Sequence, residues 1–161
     1  MVKLTLSMSN KTLTEILADE IVKDYTWRIK ELSTLKNSIP KKKTEVQKIL
    51  IRSGIVMLYA NWEGFVKYST NQFYQHVRKQ KMKNEELHSC FVAMSLSSEI
   101  EELLSAKKIV NRSYAINFIR EQMAKRAYLP KNNPIRTSNL RYDVFEEVVL
   151  VLGLDLSLIH I

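Results

Sequence analysis

The sequence predicts an all-α fold, an up-and-down bundle of about five helices led by a long N-terminal helical hairpin. Three observations predict it. Apolar residues recur at steps of three and four over long stretches, strand-like alternation is missing beyond the first residues, and only 3 Gly and 3 Pro punctuate 161 residues. An apolar fraction of 45% in a chain of this length fits one domain with a real core.

Residues 1–11 read as a short extended or irregular lead-in. Thr12 followed by Glu15 is a capping box and starts the first helix. Leu13, Ile16, Leu17, Ile21, Tyr25, Ile29, Leu32 and Leu35 then hold one apolar face to about Lys36. Pro40 and Lys41-Lys42-Lys43 end it in a solvated turn.

The second helix runs from about Thr44 to about Lys79. Val46, Ile49, Leu50, Val56, Met57, Ala60, Phe73, Tyr74 and Val77 mark its buried positions. Its basic end, Arg78, Lys79, Lys81 and Lys83, suits the negative pole of the helix dipole. Two long helices with a short Pro-containing connection should pack as an antiparallel hairpin. In the middle of the second lies Tyr59-Ala60-Asn61-Trp62-Glu63-Gly64-Phe65-Val66-Lys67, with Glu63 and Lys67 spaced for an ion pair. Gly64 costs a helix interior about 1 kcal/mol against alanine, so a close contact is expected there.

Shorter helices follow. Asn84 caps one to about Met94, and Ser97 or Ser98 with Glu101 or Glu102 opens another through Leu104. Tyr114, Phe118 and Ile119 mark a helix over about Ser113–Ala127, and Pro130 and Pro134 bound a loop. Ser138 or Asn139 caps a last helix holding Val144, Phe145, Val148, Val149 and Leu152, with Gly153 as its stop.

A net charge of +8 favours a polyanionic partner such as RNA. The single Cys90 cannot form an internal disulfide, which fits a reducing, cytoplasmic setting, and it reads as a buried, inert thiol. No stretch approaches a membrane span. His76, His88 and His160 show no metal-ligand spacing, and no glycine-rich phosphate loop or nucleophile elbow is present, so neither metal nor cofactor is expected. His76 reads as an exposed surface histidine.

The Tyr59–Lys67 segment resembles the signature "Y-A-x-W-E-G-F" helix of the MAE-like branch of the HEPN superfamily. Thr137-Ser138-Asn139-Leu140, with the later Val151-Leu152-Gly153-Leu154-Asp155, is similar to the same branch. The resemblance implies an all-α bundle, commonly a homodimer, acting as a metal-independent ribonuclease in toxin or defence systems, with an antitoxin or defence-system partner. It also implies an arginine followed four to six residues later by a histidine, as phosphate holder and general acid or base. No histidine here has an arginine at that spacing, so no catalytic residue is assigned; the pair is expected beyond Asp155. Glu63, with Asn61, Lys67 and Asn139, would then support the site, or Glu63 is a buried carboxylate tied to a helix end or a lysine. The other reading is a non-catalytic nucleic-acid-binding or protein-interaction module.

Ser157–Ile161 looks like the translation of an adapter read-through. The expectation is therefore a domain over 1–156, incomplete at its C-terminus, with 157–161 a non-native tail. Losing a last helix should leave some of Leu152, Leu154, Leu156 and Leu158 uncovered. Thermal melting and size exclusion should then show low stability and aggregation relative to the longer reading frame. A sharp, reversible melt of a monomer, or a stop codon directly after Ile161 in the sequenced locus, would count against it.

Overall fold

Thr12 caps the first helix through the reciprocal pair foreseen for it: Glu15 N–H donates to its hydroxyl at 3.2 Å, and its own N–H donates to the Glu15 carboxylate at 2.7 Å. The structure, a computed structural model, describes residues 12–155 and 157. Within them α1 spans Leu13–Ser38, α2 Glu45–Gln80, a 3-10 turn Asn84–Glu86, α3 Ser89–Ser95, α4 Ser97–Ser105, α5 Ile109–Met123 and α6 Tyr142–Val151. No strand occurs among the described residues, and the lead-in 1–11 and nearly all of the C-terminal tail lie outside them. No described helix is long and apolar enough to cross a membrane.

α1 and α2 form the antiparallel hairpin. Leu13 meets His76, Glu20 meets Tyr68, Arg28 meets Asn61 and Leu35 meets Gly54, so contacts advance along one helix as they retreat along the other. The Pro40 connection is fixed by Gln47, whose side chain donates to the Pro40 carbonyl at 2.8 Å. Thr44 caps α2 by accepting from Gln47 N–H at 3.1 Å.

Several local expectations give way to tertiary contacts. Asn84 opens no regular helix: its side chain is buried and donates to the Gln122 carbonyl at 2.9 Å, leaving His88 to cap α3. α4 starts at Ser97 without a side-chain cap. α5 begins at Ile109, four residues before Ser113, and ends at Met123, because Lys125–Ala127 pairs with Met82–Asn84 through Asn84 N–H to Lys125 O and Ala127 N–H to Met82 O. Neither Ser138 nor Asn139 caps α6. Asn139 takes a φ of 52°, Arg141 is the cap residue, and Leu140 between them is buried in the core, which keeps the chain irregular up to that point. Gly153 does end α6, at φ 73°: its N–H donates to Leu150 O and that of Leu154 to Val149 O, the two bonds of a Schellman stop.

The core lies at one end of the hairpin. Val66, Leu140, Val144 and Val148 form one cluster and Tyr74, Phe91 and Leu129 a second, with Ile135 and Leu152 packed against both. The C-terminal half of α2 is thus the spine on which α3, α6 and the loop before α6 pack. Among the described residues, the part of it before Tyr59 is flanked by α1. Val46, Ile49 and Val56, expected inside, are exposed there, as is much of the α1 face, including Leu13, Ile16 and Ile29. Cys90 is half-buried.

Tyr74 is the pivot of the second cluster. It is fully buried, stacks on Phe91 and donates its hydroxyl to the Pro130 carbonyl at 2.7 Å. Burial raises its pKa, with Arg78 opposing. A raised folded-state pKa stabilises below the unfolded value and is lost as pH rises through the folded one, so Tyr74 disfavours folding only in strong alkali. Tyr74→Phe should cost about 1–3 kcal/mol by leaving a buried acceptor unpaired, measurable by urea unfolding.

Candidate functional site

α1 and α2 hold one buried polar cluster, and the segment with the glycine lies across it. Asp24 and Arg28, one turn apart on α1, form a two-point ion pair: Arg28 Nε donates to Oδ2 at 2.6 Å and Nη2 to Oδ1 at 3.3 Å. Trp27 Nε1 donates to the same carboxylate at 3.0 Å, and the guanidinium carbon lies 4.6 Å from the Trp27 ring centre. The remaining arm of Arg28 reaches α2 and donates from Nη1 to the Asn61 carbonyl at 3.2 Å. Gly64 makes room for it. A Cβ there would stand 2.6 Å from Nη1 and 3.1 Å from the guanidinium carbon. The close contact expected at this glycine is therefore a side chain of α1 laid against the backbone of α2.

Asn61 is buried at 7% exposure. Its amide donates to the Glu31 carboxylate at 2.9 Å and to Met57 O at 3.0 Å, while its Oδ1 has no partner. The cluster borders a groove of about 620 Å³ lined by Trp27, Arg28, Glu31 and Met57 among others. Its charges decide what it can do. Arg28 is neutralised by Asp24 and Glu31 adds a further carboxylate, so this place repels phosphate and serves to lock the hairpin.

The other three sequence candidates lie elsewhere. Glu63 is half-buried; the polar influence of its carboxylate, then desolvation, then repulsion from its charge raise the Tyr59 pKa, and the Leu140 backbone opposes them. Trp62 packs on Tyr59 at 5.9 Å and on Phe145 of α6 at 5.7 Å between ring centres. This part of α2 thus faces α6 and its lead-in, which contains Asn139. Lys67 is exposed, and the expected Glu63–Lys67 ion pair does not form among the described residues. Asn61, two residues before Glu63, points to the opposite side of α2. His76 is half-buried, facing Leu13 O at 3.2 Å through Nδ1 and Gln80 Nε2 at 2.6 Å through Nε2, which makes Nδ1 the protonated nitrogen when the ring is neutral. Among the described residues no three of His, Cys, Asp and Glu gather where a metal ion could be held.

The model of the RiboL-PSP-HEPN family matches residues 23–161. The chain belongs to this family. The HEPN superfamily that the Tyr59–Lys67 segment resembles is therefore shown, and the helical architecture agrees with it. No curated protein and no solved structure matches this HEPN domain.

Missed from the sequence were the partners that give the segment its geometry. The sequence singles out neither Asp24 nor Arg28, because charges one turn apart on a helix are ordinary, and their packing against Gly64 is visible in the fold alone. Arg28 is flexible in principle, but here it is pinned at both ends, so a side chain at Gly64 must break a bond to fit. Gly64→Ala should therefore destabilise the domain despite a propensity gain of about 1 kcal/mol. Asp24→Asn, which strands the buried guanidinium, should cost about 3–5 kcal/mol, and Asp24→Asn combined with Arg28→Met should cost less. Denaturant titration of the cycle checks this; additive losses would show that the pair is not coupled.

Proposed function

We propose that this HEPN domain, of the MAE-like branch, is the scaffold of a metal-independent RNA endonuclease of a toxin or defence system. The observation that carries the reading is the family match over residues 23–161. The excess of 25 basic over 17 acidic residues supports an RNA target, and the free Cys90 suits a cytoplasmic protein. An Arg/His pair beyond Asp155 would supply the chemistry, with arginine on the scissile phosphate, histidine as general acid or base, and the ribose 2′-hydroxyl as nucleophile. Glu63 and Asn139 would sit beside that pair and shape it. Asn61 would act at a distance by locking the hairpin, and Lys67 is free to meet the RNA backbone.

A groove of about 310 Å³ between α1, α2 and α6 fits this picture. Its walls are nearly all apolar, including Phe65, Phe73, Phe145 and Leu152, and would seat a further helix.

A second reading, as an interaction module, is favoured by α2 itself. Ile51, Ile55, Leu58 and Trp62 follow one another at steps of four, three and four, and all are exposed. That spacing suits packing against another helix, and a second copy of the chain is the proposed occupant, making the HEPN protein a homodimer. An antitoxin would compete for the same stripe.

The chain ending at Ile161 and the longer reading frame should differ in one assay. With chelator present, the longer form should cleave RNA and lose at least tenfold in rate on Glu63→Gln, while the shorter form leaves RNA intact. Cleavage by the shorter chain, or none by the longer, would overturn the reading.

A further inference from the structure

The far end of α2 carries a positive groove that the cluster around Asn61 does not reach. The two lie 18 residues apart on the helix, about 27 Å at 1.5 Å per residue. After Gln80 the chain turns at Lys81, whose φ of 59° and ψ of 35° reverse its direction. Met82–Asn84 then runs antiparallel to Lys125–Ala127. Asn84 N–H donates to Lys125 O at 3.0 Å, Ala127 N–H donates to Met82 O at 2.9 Å, and Lys83 stands opposite Arg126. The buried Asn84 side chain ties this seam to the end of α5 through Gln122 O. Two basic segments more than forty residues apart in the chain are thereby fixed side by side.

Between them lies a groove of about 470 Å³ lined by Arg78, Lys79, Lys81, Arg126, Tyr128 and the buried Leu129. Among the described residues no carboxylate lines it. The two nearest in sequence are already engaged at Lys83: Glu85 pairs with its ammonium at 3.4 Å, and Glu86 accepts from its backbone N–H at 2.7 Å. Among the described residues Arg78, Lys79, Lys81 and Arg126 make no ion pair, and Arg78 has only Gln75 Oε1 at 3.4 Å. Four unpaired cations around one concavity repel one another until an anion enters. Tyr128 adds a second kind of contact. Its backbone is held, N–H donating to Ser95 Oγ at 2.9 Å, yet the residue is 83% exposed. An aromatic ring presented on a fixed backbone beside a row of cations is a platform for a base whose phosphates lie in the groove.

We propose that this groove binds single-stranded RNA, with Arg78, Lys79, Lys81 and Arg126 on successive phosphates and Tyr128 under a base. The cations are strung along two segments instead of converging on one point, which suits a strand better than a single phosphate. The inference rests on the RNA-directed reading above and gives it a place to hold substrate away from the cleavage chemistry.

Fluorescence anisotropy of the full chain with a short labelled oligouridylate tests it. Lys81→Glu with Arg126→Glu should weaken binding at least tenfold and flatten the slope of log affinity against log salt by about 0.7 for each cation lost. Tyr128→Ala should weaken binding about five- to a hundredfold with the salt slope kept, and Tyr128→Phe should restore it. These residues are exposed, and an unchanged circular-dichroism melt confirms folding. A control reversing Lys41, Lys42 and Lys43, at the other end of the hairpin, should bind as the unmutated chain does. Affinity unchanged in the groove variants but lost in the control would overturn the groove and leave the RNA reading standing. No RNA binding by the unmutated chain would overturn both. Equal binding of duplex RNA, with Tyr128→Ala silent, would overturn the single-strand assignment, and binding of anionic vesicles in place of RNA would make the groove a membrane contact.

Discussion

One buried guanidinium sets the distance between the two long helices. Arg28 is held on α1 by Asp24 and reaches across to the Asn61 carbonyl of α2, and Gly64 leaves the only clearance it needs. The Asp24–Arg28 pair lies within α1 and holds the guanidinium in place; the alignment with α2 comes from the Nη1 bond to the Asn61 carbonyl and the clearance at Gly64. The rest follows from that alignment. Tyr68 finds Glu20, His76 finds the Leu13 carbonyl, and the C-terminal half of α2 presents Val66 and Tyr74 to the helices that pack on it.

The distribution of charge sorts the candidate residues by role. Around Asn61 the side chains sum to excess negative charge, so its free Oδ1 does not mark a phosphate site. Glu63, on the other side of the same helix, raises the pKa of the Tyr59 hydroxyl. Positive charge collects where α2 ends. The Tyr59–Lys67 segment therefore locks the hairpin through Asn61 on one face and turns Trp62 toward Phe145 of α6 on another.

Much of this was legible in the sequence where the cause is local. The Thr12–Glu15 box, the Pro40 turn and the Gly153 stop are short-range chemistry, and each stands where the residues put it. Gly64 was legible as an anomaly, because an unfavourable residue inside a helix needs a neighbour to explain it. What failed depended on contacts across the chain. Asn84 and Asn139 are good caps by type, but one is drawn into a seam with Lys125 and the other is displaced by the burial of Leu140. Lys125 and Arg126 fall inside the helix expected to Ala127, with Tyr128 just past it, and only the seam reveals their company. Periodicity also overstated burial: Val46, Ile49 and Val56 keep the rhythm of a core helix, yet rhythm does not say whether a second helix is there to meet it.

α2 is 36 residues long, about 54 Å as a straight helix, and packs against the core only beyond its midpoint. The hairpin is in effect a rod clamped at one end. Backbone amides near Gly54 should exchange with solvent far sooner than those near Tyr74, because opening the tip breaks few buried contacts while opening the base dismantles both clusters. Whatever grips that tip would freeze a motion the isolated chain leaves free, and would send the restraint along the rod to Glu63 at the edge of the clamp.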